Sequence, residues 1–164
     1  MPAANHPDLV AALAGEPALV RTLPDPAATA VLGAALARLV RPGDALLLAG
    51  PLGAGKTTLA RAFLAAASGE PGLVVPSPSY TLVQTYASPL GPVHHFDLWR
   101  IESPAALEEL GWHEALADIV LVEWPERLGS LAPAGALRIT LAITGEESRE
   151  ARLAGWPDRL DWLR

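Results

Sequence analysis

The sequence predicts an α/β fold: a mainly parallel sheet flanked by helices in a three-layer sandwich. Two observations predict it. Two short apolar runs read as strands: DALLLAG (44–50), bounded by turn residues and expected to be buried on both faces, and DIVLVEWPE (118–126), which meets an acidic residue at its end. Stretches of good helix formers alternate with such runs, most clearly TTLARAFLAAA (57–67). Strands alternating with helices assemble into parallel sheets, because each crossover helix returns the chain to the same edge.

In chain order, residues 1–21 are rich in alanine and proline without a long periodic pattern, and are expected to form a short helix or a loose arm. PAATAVLGAALARLV (26–40) sets Val31, Leu32, Ala35, Leu36 and Leu39 at helical spacing, and Pro42-Gly43 stops it. The strand 44–50 follows, then a glycine-rich loop and the helix 57–67, which Gly69 and Pro71 end. LVV (73–75) leads into the stiff turn PSPS and an extended YTLVQTY. PVHHFDLW (92–99) is a strand candidate. Ser103-Pro104 reads as a capped helix start, and AALEEL continues to Gly111. After the strand at 118–126, ALRITLAIT (136–144) alternates as a strand should. REARLAGWPDRLDWLR (149–164) is ambiguous between a last strand and a terminal helix, and its arginines 149, 152, 159 and 164, interleaved with acids, read as a solvated face.

The totals exclude several classes. With 164 residues and 51% apolar content the chain can fill one core, so one globular unit over 1–164 is expected. Cysteine is absent, which rules out disulfides and thiolate metal sites and makes a reducing compartment the default. The N-terminus lacks a basic start followed by an apolar stretch, and no window nears the roughly 20 apolar residues of a membrane span. A soluble, cytoplasmic protein without a membrane partner is expected. The formal charge of −6 argues against a broad cationic surface that grips nucleic acid by its phosphates. Any RNA involved would be held by another subunit.

The chemistry concentrates in GPLGAGKTT (50–58). Gly50, Gly55, Lys56 and Thr57 satisfy G-x-x-x-x-G-K-[ST] between a strand and a helix, the context that makes the pattern a phosphate-binding P-loop. Glycines at 50, 53 and 55 let the backbone curl so that amide hydrogens point into one concavity, beside the positive end of the following helix. The expected phosphate-binding set is Gly53, Ala54, Gly55, Lys56, Thr57 and Thr58. Lys56 is the only lysine in a chain with 11 arginines. Its compact ammonium suits a nest that a planar guanidinium would crowd. The Thr57 hydroxyl is placed for Mg²⁺. Guanine-specific P-loop proteins read their base with an asparagine-lysine-x-aspartate segment, which a chain without a second lysine cannot have, so ATP is expected rather than GTP.

Two acids can complete the site. Glu123 ends IVLVE and Asp97 ends VHHFD, so both can emerge at the carboxyl edge of the sheet, where open α/β folds bind ligands. The plainer readings are an exposed acid opening the Trp124-Pro125 turn and a salt-bridge partner for Arg100. His95 and Asp97 share one strand face and His94 the other. His95, Asp97 and His113 lack recognisable ligand spacing and read as hydrogen-bonded structural residues rather than a transition-metal site. Ser77, Ser79 and Thr81, on a segment stiffened by two prolines, occupy the place of a nucleotide-sensing switch or an ordinary strand lead-in. Trp99 and Trp124 follow the two acidic segments, as core residues or partner anchors.

Six segments, LPDPAATAVLGAALA, GPLGAGKTTLARAFL, PSPSYTLVQTY, HFDLWR, LEELGW and VEWPERLG, stand in one order over roughly residues 22–154. In that order and spacing they resemble the bacterial TsaE (YjeE) family of P-loop ATPases in tRNA threonylcarbamoyladenosine synthesis. The resemblance implies a small ATPase, weak alone, that works with the threonylcarbamoyl-transfer subunits TsaD and TsaB to modify adenosine 37 of tRNA, with tRNA contacted indirectly. It puts the P-loop lysine at Lys56, the metal-binding threonine at Thr57, the HxDLYR aspartate at Asp97 and the EWPE acid and tryptophan at Glu123 and Trp124. Lys56, Asp97 and Glu123 are then the expected catalytic residues, with Thr57, Glu123 and Asp97 around Mg²⁺. Ser79 stands for a commoner threonine, Trp99 for a tyrosine and Pro51 for an aspartate. A small-molecule kinase is the alternative enzyme, although Arg100 is the only arginine between the two acids where a lid would need several. An ATP-switched binding module without essential hydrolysis is the alternative outside catalysis.

Overall fold

The computed structural model describes residues 17–76, 78 and 81–164. Seven strands form one sheet in the order β1-β7-β6-β2-β5-β4-β3, where β1 is Leu19–Leu23, β2 Ala45–Ala49, β3 Val83–Tyr86, β4 Val93–Asp97, β5 Ile119–Glu123, β6 Leu137–Ile143 and β7 Arg149–Ala154. The four central strands, β6, β2, β5 and β4, run parallel; β1, β7 and β3 are antiparallel to their neighbours. The α/β class is borne out, with a parallel centre and antiparallel margins.

β2 and β5 show why the continuous apolar runs read correctly. All five residues of each are buried. Successive side chains leave opposite faces, so Leu46 and Leu48 enter one core and Ala45 and Leu47 the other. The first core lies under helix α1 (Pro26–Ala37) and helix α2 (Lys56–Ser68). The second lies under two short helices, α3 (Ala106–Glu109) and α4 (Trp112–Ala115), and a 3-10 segment at Pro125–Leu131. Helices on both faces give the three layers expected.

α1 begins as its sequence prescribes: Asp25 accepts a hydrogen bond from the Ala28 amide at 2.8 Å and Pro26 fills the first turn. Its buried face is Thr29, Leu32, Gly33 and Leu36, while Val31, expected on the apolar stripe, is 69% exposed. The reason is Gly33. It lets α1 approach α2 so closely that a Cβ there would lie 2.5 Å from the Leu59 carbonyl oxygen, and this contact fixes the rotation of the helix.

Three expectations are corrected. Residues 19–21, read as part of a loose arm, belong to β1, which pairs with β7; residues 1–16 lie outside the described residues. The helix expected from Ser103 starts at Ala106 without a side-chain cap, because Ser103 supplies its carbonyl to the Ala106 amide instead. Gly111, at φ 77°, then separates it from α4. The ambiguous tail is both things in turn: β7, then helix α5 (Pro157–Leu160). Its arginines divide as well. Arg152 and Arg164 pair with the half-buried Glu150 and the exposed Asp161, whereas Arg159 bonds Asp44 and the Leu39 carbonyl and stacks 3.8 Å over Trp156.

Candidate nucleotide-binding site

The loop 50–55 leaves β2 and curls into α2. Gly50 is required by close approach: at φ 147°, its Cβ would lie 2.6 Å from the Leu141 carbonyl oxygen on β6. Gly55 takes the left-handed conformation (φ 99°) at the N-terminus of α2, where no side chain caps the helix. The first amides of this 13-residue helix therefore face outward without a side-chain acceptor, which is the electrostatic prerequisite for holding an anion. Ala54 turns its methyl into the core, so only its backbone is available to a ligand.

Lys56 is 5% exposed. Its Nζ donates to the carbonyls of Gly50 at 2.7 Å and Pro51 at 2.9 Å and lies 4.0 Å from the centre of the Trp124 ring. Burial pulls its pKa below the ordinary lysine value, with Glu123, Glu126 and Asp97 pulling the other way. Pro51 contributes through its backbone carbonyl.

Glu123 and Asp97 are register partners at the ends of β5 and β4, and both are buried. The Thr57 hydroxyl donates to Glu123 Oε1 at 2.9 Å, and His95 Nε2 lies 2.8 Å from Glu123 Oε2. Asp97 Oδ1 accepts the Trp99 amide at 3.0 Å. Trp124 takes a left-handed backbone (φ 61°), and its ring packs against Trp99 at 4.3 Å. These groups enclose a cavity of about 500 Å³ whose wall includes Lys56, Thr57, Asp97, Glu123, Trp99 and Trp124.

Gly53, Gly55 and Thr58 line the same space, so the loop residues and both acids named from the sequence converge there. Ser77 and Ser79 lie outside the described residues, and Thr81 is exposed. His113 lies near Glu108, exposed and at 3.7 Å, so the His95, Asp97, His113 grouping is not formed. Among the described residues no three His, Asp or Glu side chains form a cluster able to hold a metal ion. The oxygens present suit another kind of site: Mg²⁺ keeps several waters and takes one or two carboxylates together with substrate phosphates. A hydroxyl and two adjacent carboxylates facing a phosphate loop fit it.

Three contributions escaped the sequence reading. His95, expected to be hydrogen-bonded, has Glu123 as its partner. Glu126, three residues beyond Glu123, adds to the negative field on Lys56. Arg149 reaches from β7 to the Gly53 carbonyl at 2.9 Å while holding the carbonyls of Gly145, Glu146 and Ser148, so it ties a neighbouring turn to the loop. The VHHFD alternation hinted at the first; nothing local signals a contact like the last.

A family model described as "Threonylcarbamoyl adenosine biosynthesis protein TsaE" matches residues 23–152. The chain belongs to the TsaE family. A TsaE protein of Rickettsia felis, named for tRNA threonylcarbamoyladenosine biosynthesis, is 36% identical over 122 residues, covering 74% of this chain and 71% of the relative. The Bacillus subtilis TsaE of the same name is 32% identical over 145 residues, 85% and 87% of the two chains. A crystal structure of Bacillus subtilis YdiB superposes with a TM-score of 0.68 at 28% identity, covering 88% of this chain and 90% of that one. The TsaE match begins at the end of β1 and closes within β7, so it contains every site residue described above.

Proposed function

We propose that this TsaE-family chain is a Mg²⁺-dependent ATP-binding and ATP-hydrolysing subunit of tRNA threonylcarbamoyladenosine synthesis. In this reading it acts with partner subunits, TsaD and TsaB, that handle the tRNA. The observation that carries the reading is the convergence on one cavity of a P-loop lysine, the Thr57 to Glu123 hydrogen bond and the register partner Asp97.

The loop amides and the N-terminus of α2 would hold the triphosphate. Lys56 would exchange two carbonyl acceptors for the outer phosphate oxygens, and Thr57, Glu123 and Asp97 would hold Mg²⁺. When bound, Mg²⁺ would supply positive charge against the outer phosphates. Asp97, one oxygen of which is already fixed by the Trp99 amide, orients the attacking water. A smaller cavity of about 90 Å³ shares Gly53, Gly55 and Thr58 with the main one and adds Thr29 and Arg149, which would make it the place for the nucleoside.

In the presence of the partner subunits, Lys56→Ala and Glu123→Ala are each expected to lower the rate of ATP hydrolysis by about 100-fold or more, the usual cost of removing one charge-stabilising group. Variants that hydrolyse ATP as fast as the parent overturn the reading.

A further inference from the structure

We propose that His95 is a positioning residue that locks the Glu123 carboxylate in the orientation in which it serves Thr57 and Mg²⁺. The inference rests on the Mg-nucleotide reading above.

His95 sits in the middle of β4, opposite Gln84 on β3 and Leu121 on β5, with its side chain fully buried. A histidine retained there for packing alone gains nothing over leucine, and a buried histidine that is merely structural normally satisfies both ring nitrogens. His95 satisfies one. Nε2 lies 2.8 Å from Glu123 Oε2, while Nδ1 is buried without a hydrogen-bond partner among the described residues. An ionised carboxylate only accepts, so Nε2 carries the hydrogen of that bond. A buried ring nitrogen left unsatisfied is unfavourable. Among the described residues the only polar contact of the imidazole is therefore its bond to Glu123.

That bond decides where the acid faces. Glu123 is 2% exposed and has three side-chain torsions, and with Oε2 held by His95 the other oxygen meets Thr57 Oγ1 at 2.9 Å. A chain of two bonds thus runs from β4 through β5 to the first turn of α2. Asp97 is oriented differently, by the backbone amide of Trp99 two residues on. Each acid has its own orienting group. Outer groups of this kind fix ligand direction, and their loss typically costs about 10–100-fold in metal affinity.

The test compares His95→Leu, which removes the donor at similar volume, with His95→Gln, whose amide nitrogen reaches as far as Nε2. Tryptophan fluorescence reports nucleotide binding at increasing Mg²⁺, and again in EDTA. The expected result is a rise of about 10-fold or more in the half-saturating Mg²⁺ concentration for His95→Leu, with binding in EDTA unchanged and the parent value largely restored by His95→Gln. On a Glu123→Gln background, His95→Leu is expected to add nothing. Should His95→Leu not fold, His95→Asn replaces it, since its shorter amide keeps polarity but cannot reach Glu123; it is expected to behave as the leucine variant does. A folded leucine or asparagine variant with the parent's Mg²⁺ midpoint, or a glutamine variant that fails like leucine, overturns the inference while leaving the nucleotide reading intact. A parent whose nucleotide binding gains nothing from Mg²⁺ overturns both.

Discussion

Lys56 carries a positive charge in a place that disfavours it. Its ammonium is removed from water and compensated by two carbonyls, an aromatic face and the field of three acids, yet burial dominates and lowers its pKa below 10.5. The sign of the pH dependence follows. The unfolded chain keeps this proton up to the ordinary lysine value, whereas the folded chain releases it earlier. Between those two values the unfolded state binds more protons, so stability rises with pH across that window, and below it the charged lysine weighs fully against the fold. Urea midpoints of the parent and Lys56→Met, compared from neutral pH to pH 10.5, are expected to show a stabilising rise in the parent that the variant lacks. Equal slopes would contradict it. The same group would gain from a bound phosphate anion, whose negative oxygens favour the protonated form. A lysine that is costly to the fold is thereby well placed for an anion, and an arginine, which cannot release its proton, could not relieve that cost at high pH.

At the scale of elements, the pairing of α1 with α2 turns on one missing methyl. Glycine inside a helix costs up to about 1 kcal/mol relative to alanine, so Gly33 looks like a defect from sequence alone. A Cβ there, however, would meet a backbone oxygen at 2.5 Å, which cannot move aside as a flexible side chain can. Gly33→Ala is expected to destabilise the protein by about 1–3 kcal/mol despite its better helix propensity, read as a fall in the urea midpoint. A rise in the midpoint would mean that the helices separate freely. Legibility has the same origin throughout. β2, β5 and the P-loop were readable because their signals are local: a doubly buried strand is apolar at every position and the loop needs glycine at fixed places. Val31 was misplaced because the rotation of α1 depends on Gly33 meeting α2. β1 went unread because LVRTL becomes a strand only by pairing with β7, some 130 residues on. The contact of His95 with Glu123 depends on the register of β4 against β5, and Arg149 reaches Gly53 from the far end of the chain. Both are products of topology.

For the molecule as a whole, the disposition of charge decides what it can hold unaided. The net charge of −6 is only part of the argument. Several of the 11 arginines are occupied as internal fasteners: Arg61 bonds the Val75 carbonyl, Arg127 that of Ile101, Arg149 four loop carbonyls and Arg159 Asp44. Arg152 and Arg164 are paired with acids. Binding to nucleic acid draws most of its affinity from cations that displace counterions from phosphates, and this surface has few to offer. The protein alone is expected to form no complex with tRNA at physiological salt below about 100 μM, weaker than ordinary non-specific binders, and to remain so at low salt, where the negative surface repels the phosphates more strongly. Adding the partner subunits is expected to bring this chain onto tRNA at their affinity rather than its own. Electrophoretic mobility shifts at 50 and 150 mM salt, with and without partners, measure this directly. Tight, strongly salt-dependent binding by the isolated chain would show that the fastening arginines release to grip phosphates, and would move RNA recognition from the partners to this subunit.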